Sequence, residues 1–161
     1  MFRVNLLKPT DELFLSNVLT QNAITRHIFR GVFSINERVA KPTTLPAAYI
    51  YNILPSTSRD IGHWVAIFIS PDWRIEYFDS YGIRPPEKLF KMMKHWSSKI
   101  IWNRKRFQHF NSNVCGLYIL YYIYFKCFGW SLQEIQQHFT THSINNDKFV
   151  TNAVKSMIQF F

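Results

Sequence analysis

Four side chains of this 161-residue chain are of the types that cooperate when a thiol attacks a carbonyl: His63, Asp79, Gln108 and Cys115. The thiolate is the nucleophile, the imidazole moves the proton, a carboxylate orients the imidazole, and an amide N–H steadies the oxyanion. Cys115 is one of two cysteines and stands where the loop Asn111-Ser112-Asn113 gives way to the apolar run Val114 to Phe125. That placement predicts a capped helix with the sulfur in its first turn, where unpaired backbone N–H groups favour the thiolate. Gly116 follows and leaves room for a substrate backbone to approach. His63 opens the run His-Trp-Val-Ala-Ile-Phe-Ile-Ser, Ser70-Pro71-Asp72 is turn chemistry, and Trp73 to Asp79 returns. In an antiparallel hairpin the start of one strand meets the end of the next, so Asp79 falls beside His63. Asp60, Asp72 and Glu76 are rival acids, but Asp72 sits in the far turn and Glu76 in mid-strand. Gln108 and the backbone N–H of Cys115 are candidate oxyanion donors. Each residue alone also has an ordinary reading: a buried structural thiol, a surface carboxylate before a turn, an unremarked amide.

The elements that must bring these groups together are legible in outline. Thr10 or Asp11 caps a first helix to about Thr20, with Leu13, Phe14, Val18 and Leu19 as its stripe. Residues 21–46 read as irregular, broken by Gly31, Pro42 and Pro46. Three strands follow, over Ala47 to Leu54, His63 to Ser70 and Trp73 to Asp79. Pro86-Glu87 starts a basic helix to about Ser98, on which Lys88, Lys91 and His95 share one face. A short strand over 99–103 or 104–109 precedes the buried helix. Ser131 and Glu134 form a capping box, and Asn146 or Asp147 caps a last helix whose inner side carries Phe149, Val150, Ala153, Val154 and Met157. The sum is one α+β domain over residues 1–161: a small, mostly antiparallel sheet with helices packed around it.

Composition narrows the function classes. At 47% hydrophobic and 17% aromatic the chain builds a real core. Two cysteines make no disulfide framework, which suits a free thiol in a reducing, intracellular compartment. No C-x-x-C or H-E-x-x-H occurs; His138 and His142 are four apart without a cysteine or acidic cluster, so no metal is expected. The start, Met1-Phe2-Arg3-Val4-Asn5, shows no secretory signal, and the run Val114 to Phe125 is shorter than the ~20 residues that span a bilayer. Net charge is +9, and Arg84, Lys88, Lys91, Lys94, Lys99, Arg104, Lys105 and Arg106 face one acid, Glu87, within a single stretch. That density points to a polyanion such as nucleic acid, the alternative being a solvated, solubilising face.

Taken jointly, His63-Trp64, Tyr77-Phe78-Asp79-Ser80-Tyr81-Gly82, Gln108 and Asn111-Ser112-Asn113-Val114-Cys115-Gly116-Leu117-Tyr118 resemble the adenovirus maturation proteases (adenains) and, more distantly, the ubiquitin-like-protein proteases of the same fold. The spacings of sixteen, twenty-nine and seven residues between His, acid, Gln and Cys match, and a weaker likeness reaches upstream through Phe29-Arg30-Gly31-Val32-Phe33. The resemblance covers roughly residues 13–130. It implies a papain-like fold, a triad of Cys115, His63 and Asp79, Gln108 in the oxyanion hole, Trp64 flanking a narrow groove, and cleavage after small residues such as glycine. The acid is aspartate, as in the ubiquitin-like-protein proteases, where adenain has glutamate. It further implies viral precursor polypeptides as substrates, DNA and a short peptide as activators, and residence in host nucleus and virion as a monomer. The cysteine that bonds the family's activating peptide lies between acid and Gln; this chain has none there, and Cys127 does not match it, so such a peptide would bind non-covalently. Two other functions compete: a deconjugating protease for ubiquitin-like tags, and a non-enzymatic DNA-binding protein on a protease fold.

Overall fold

Five strands form one sheet in the order β1-β2-β3-β4-β5, in a computed structural model that describes residues 10–54 and 62–159. The N-terminal reading over Met1 to Asn5 and the rival acid Asp60 lie outside the described residues. The strands are β1 (Phe29–Ser34), β2 (Ala47–Asn52), β3 (Trp64–Ile69), β4 (Ile75–Phe78) and β5 (Ile100–Trp102). The central three pair antiparallel, as expected, whereas the two edge strands run parallel to their neighbours.

All six residues of β3 are buried because both faces of the sheet are covered. Trp64, Ala66 and Phe68 join one core with Phe78 and the apolar residues of α3 (Cys115–Cys127). Val65, Ile67 and Ile69 join the other, with Leu89, Met93 and Trp96 of α2 (Glu87–Trp96). α1 (Glu12–Gln21), α4 (Leu132–Gln136) and α5 (Ser143–Gln159) supply side chains to the α3 side.

The helix starts show what local sequence decides. Asp11 caps α1 through a 2.7 Å bond from the Phe14 N–H, but Leu15 and Leu19 carry its buried side, and the expected Leu13 is exposed. The capping box at Ser131 and Glu134 is present. α5 starts earlier than expected, at Ser143, so Asn146 and Asp147 lie inside its first turns and bond other segments; Phe149 of its expected inner side is exposed. β1 replaces part of the stretch read as irregular. Its signal is blurred because Gly31 has φ +136°, the register with β2 shifts between Phe29 and Val32, and burial does not alternate.

Candidate active site

The hairpin β3–β4 carries His63 just before its first strand and Asp79 just after its second. His63 Nε2 donates to Asp79 Oδ1 at 2.7 Å, with Asp79 almost fully buried. The rival acids within the described residues are committed elsewhere. Asp72 is exposed in the turn beside Arg74 and Lys99, and Glu76 faces α3, bonding Tyr122 and Lys126.

Cys115 is the first residue of α3, and it lines the same cleft as the His63 ring, close enough for its charge to act on that ring. No side chain caps α3; its N-cap is Val114 and not one of the polar residues Asn111, Ser112 and Asn113 expected to cap it. The first N–H groups of a helix lack the usual partner inside it, and no side chain competes for that of Cys115, the one residue of this first turn that lines the cleft. Burial works against the His63 imidazolium, but the hydrogen bond to Asp79 and the contact and charge of Cys115 outweigh it and push the ring up to about 9. The Tyr81 ring packs against His63 in a tilted pair, 4.8 Å between centroids, and its N–H donates to Asp79 Oδ1 at 2.7 Å.

A small cleft of about 110 Å³ opens over this pair. Thr10, Gly62 and Trp64 line it beside His63, and Tyr81, Gln108, Ser112 and Asn113 line it beside Cys115. Trp64 belongs to both cleft and core: it is buried, and its Nε1–H donates to the Thr10 carbonyl at 2.9 Å. Gly116 differs from expectation. It does not line the cleft; a Cβ there would lie 1.8 Å from Thr10 Oγ1 and 2.8 Å from Thr10 Cβ. Its missing side chain admits the segment entering α1, not a substrate.

The supporting roles of four residues at this site are not visible in the sequence. Asn103 is buried and grips the Asp79 backbone from both sides, accepting from its N–H at 2.9 Å and donating to its carbonyl at 2.5 Å. Gly82 (φ +68°) closes the turn with its N–H on the Asp79 carbonyl, and a Cβ there would meet the Lys105 backbone at 2.6 Å. Asn146 and Asp147 tie the segment 107–109 to α5 through the Phe107 carbonyl and the His109 N–H. The only sequence signal was the polar turn Asp79-Ser80-Tyr81-Gly82 closing an apolar strand.

The expected basic residues are all exposed: Arg84 in the connection before α2, Lys88, Lys91 and Lys94 on α2, and Lys99 and Arg104 to Arg106 on the segments flanking β5. Lys91 pairs with Glu87 at 3.5 Å. Arg84 and Lys94 lie over the Phe90 ring, Arg104 lies over Trp102, and the two rings meet edge-on at 6.2 Å. Arg104 to Arg106 connect directly to Asn103 and Phe107, the residues that buttress the Asp79 turn. No helix among the described residues is long and apolar enough to cross a membrane.

No family model matches the sequence, and no curated protein matches it. Among solved structures the chain is similar to ChlaDub1 from Chlamydia trachomatis, with TM-score 0.51 and 15% identity over 71% of this chain and 61% of that one. It is also similar to the pS273R protease of ASFV, with TM-score 0.49 and 27% identity over 65% of this chain and 43% of that one. The chain therefore spans less than two thirds of the length of either. The first likeness shows the fold, the α+β cysteine-protease fold expected from the sequence.

Proposed function

We propose that this chain is a cysteine endopeptidase of a virus or virus-like element. It cuts precursor polypeptides after small residues such as glycine and works in the presence of nucleic acid. One observation carries the reading: Asp79, just after β4, hydrogen-bonds the His63 ring, and that ring lines one cleft together with Cys115 at the start of α3.

In this reading His63 and Cys115 rest as an imidazolium–thiolate pair. The thiolate attacks the scissile carbonyl, and the oxyanion is met by the Cys115 N–H and the Gln108 amide. The tetrahedral adduct collapses, the amine leaves with the His63 proton, and His63 then takes a proton from water as it releases the acyl group from sulfur. The walls formed by Trp64 and Tyr81 favour a residue without a bulky side chain beside the cleft. The exposed cations around Phe90 and Trp102 are the candidate contact for DNA. An activating peptide, if the element encodes one, binds without a disulfide to this chain.

A Gly-containing peptide library, incubated with and without DNA, tests the proposal. The chain is expected to cut after glycine, faster with DNA, and Cys115→Ala is expected to abolish cutting while leaving the fold intact. Cutting by Cys115→Ala overturns it. Reaction confined to a ubiquitin-like tag bearing a C-terminal electrophile, indifferent to DNA, replaces it with a deconjugating protease.

A further inference from the structure

The amide of Gln108 has two ends with opposite consequences for a developing oxyanion. Its Nε2 would bind the negative charge, and its Oε1 would repel it. Two neighbours decide which end faces the cleft. The Ser112 carbonyl, which can only accept, takes an Nε2–H at 2.9 Å. The Ser80 hydroxyl donates to Oε1 at 2.6 Å. Ser80 is fully buried, and its own carbonyl accepts from the N–H groups of Phe107 at 2.9 Å and Gln108 at 3.1 Å. One serine therefore holds both the backbone and the side chain of Gln108. The second contact of Nε2 is the longer one, to Ser112 Oγ at 3.2 Å. That N–H can pass to a substrate oxygen in the cleft that Gln108 and Ser112 both line.

We infer that Ser80 is a positioning residue of the reaction: its hydroxyl locks the Gln108 amide with the donor end toward the oxyanion. The inference rests on the peptidase reading above. Its companion, Asp79, is the neighbouring residue, so one turn orients both the imidazole and the oxyanion donor.

Ser80→Ala tests it with two reactions at the same sulfur. Cleavage of a Gly-containing peptide builds an oxyanion; alkylation by iodoacetamide is displacement at a saturated carbon and builds none. In Ser80→Ala, kcat for the peptide is expected to fall about tenfold to a hundredfold with KM within about twofold. The alkylation rate of Cys115 and its pH profile are expected to match the wild type. In a Gln108→Ala background, Ser80→Ala is expected to add no further loss. Wild-type cleavage by Ser80→Ala overturns the inference, as does a parallel fall of alkylation and cleavage, which would mark a merely structural serine. A wild-type chain that cleaves no peptide and alkylates at the rate of an ordinary thiol overturns the peptidase reading itself.

Discussion

The two cysteines of this chain sit at opposite ends of the same helix, Cys115 first and Cys127 last in α3. Cys127 is the more exposed residue of the two, yet burial of its thiol pushes it up to about 12, and its Sγ–H donates to the Ile123 carbonyl at 3.2 Å. Its position at the negative end of the helix opposes a thiolate as well. Cys115 has the positive end, an uncapped first turn, the His63 ring and a cleft. Reactivity here follows from what surrounds the sulfur, not from how much of the residue meets water.

The sharpest way to break this contrast is to alkylate both thiols in the folded chain and follow each by mass spectrometry of its peptide. At pH 7, a thiol held near 12 is in the reactive form only about 10⁻⁵ of the time. Cys115 is therefore expected to react at least ~10³-fold faster. His63→Ala is expected to slow Cys115 about a hundredfold or more and to leave Cys127 alone. Similar rates at the two positions in the wild type would remove the basis for treating Cys115 as a nucleophile.

A second, smaller effect comes from pH. His63 is raised from 6.5 to about 9, so between those values the folded chain holds a proton that the unfolded chain releases. Its contribution to stability is thus whole below about 6.5 and is lost as pH rises through about 9. Thermal unfolding is expected to drop more from pH 6 to pH 9 in the wild type than in His63→Ala. Peptide cleavage is expected to decline about tenfold per pH unit above that range, since the amine then lacks its acid, while Cys115 alkylation persists. Cleavage that keeps rising past pH 10 would assign the proton to another group.

Much of this site was legible in the sequence because strong local patterns placed it. The apolar run after His63 and the turn at Pro71 made a hairpin, and hairpin geometry alone brought Asp79 to His63. The loop-to-helix switch put Cys115 at a helix start. What stayed hidden depended on contacts between distant segments. Nothing near Gly116 in sequence says that Thr10 packs on it, so room for a neighbour reads as room for a substrate. Nothing in its own neighbourhood marks Asn103, which clamps Asp79 from 24 residues away. The parallel edges were hidden for the same reason, since partner direction is set by where connections travel and not by the strand's own residues.

The smallest effect tests whether the two ends of α3 behave independently. Midway between the cysteines, Tyr122 donates to the buried Glu76 carboxylate at 2.8 Å, beside Lys126 at 2.9 Å, and its ring stacks on Phe78 at 4.5 Å. Tyr122→Phe keeps the ring and removes one donor to a charged acceptor, which costs about 1.5–3 kcal/mol in such settings. Lys126 still neutralises Glu76, so the loss is expected near the lower bound, read as a shift in the urea midpoint with an unchanged slope. If the sulfur chemistry is set by the His63 contact and the first turn alone, Cys115 alkylation stays within about twofold of the wild type. A fall in that rate larger than the stability change accounts for would mean that the buried pair on β4 sets the position of the whole helix, and that the two cysteines share one environment through it.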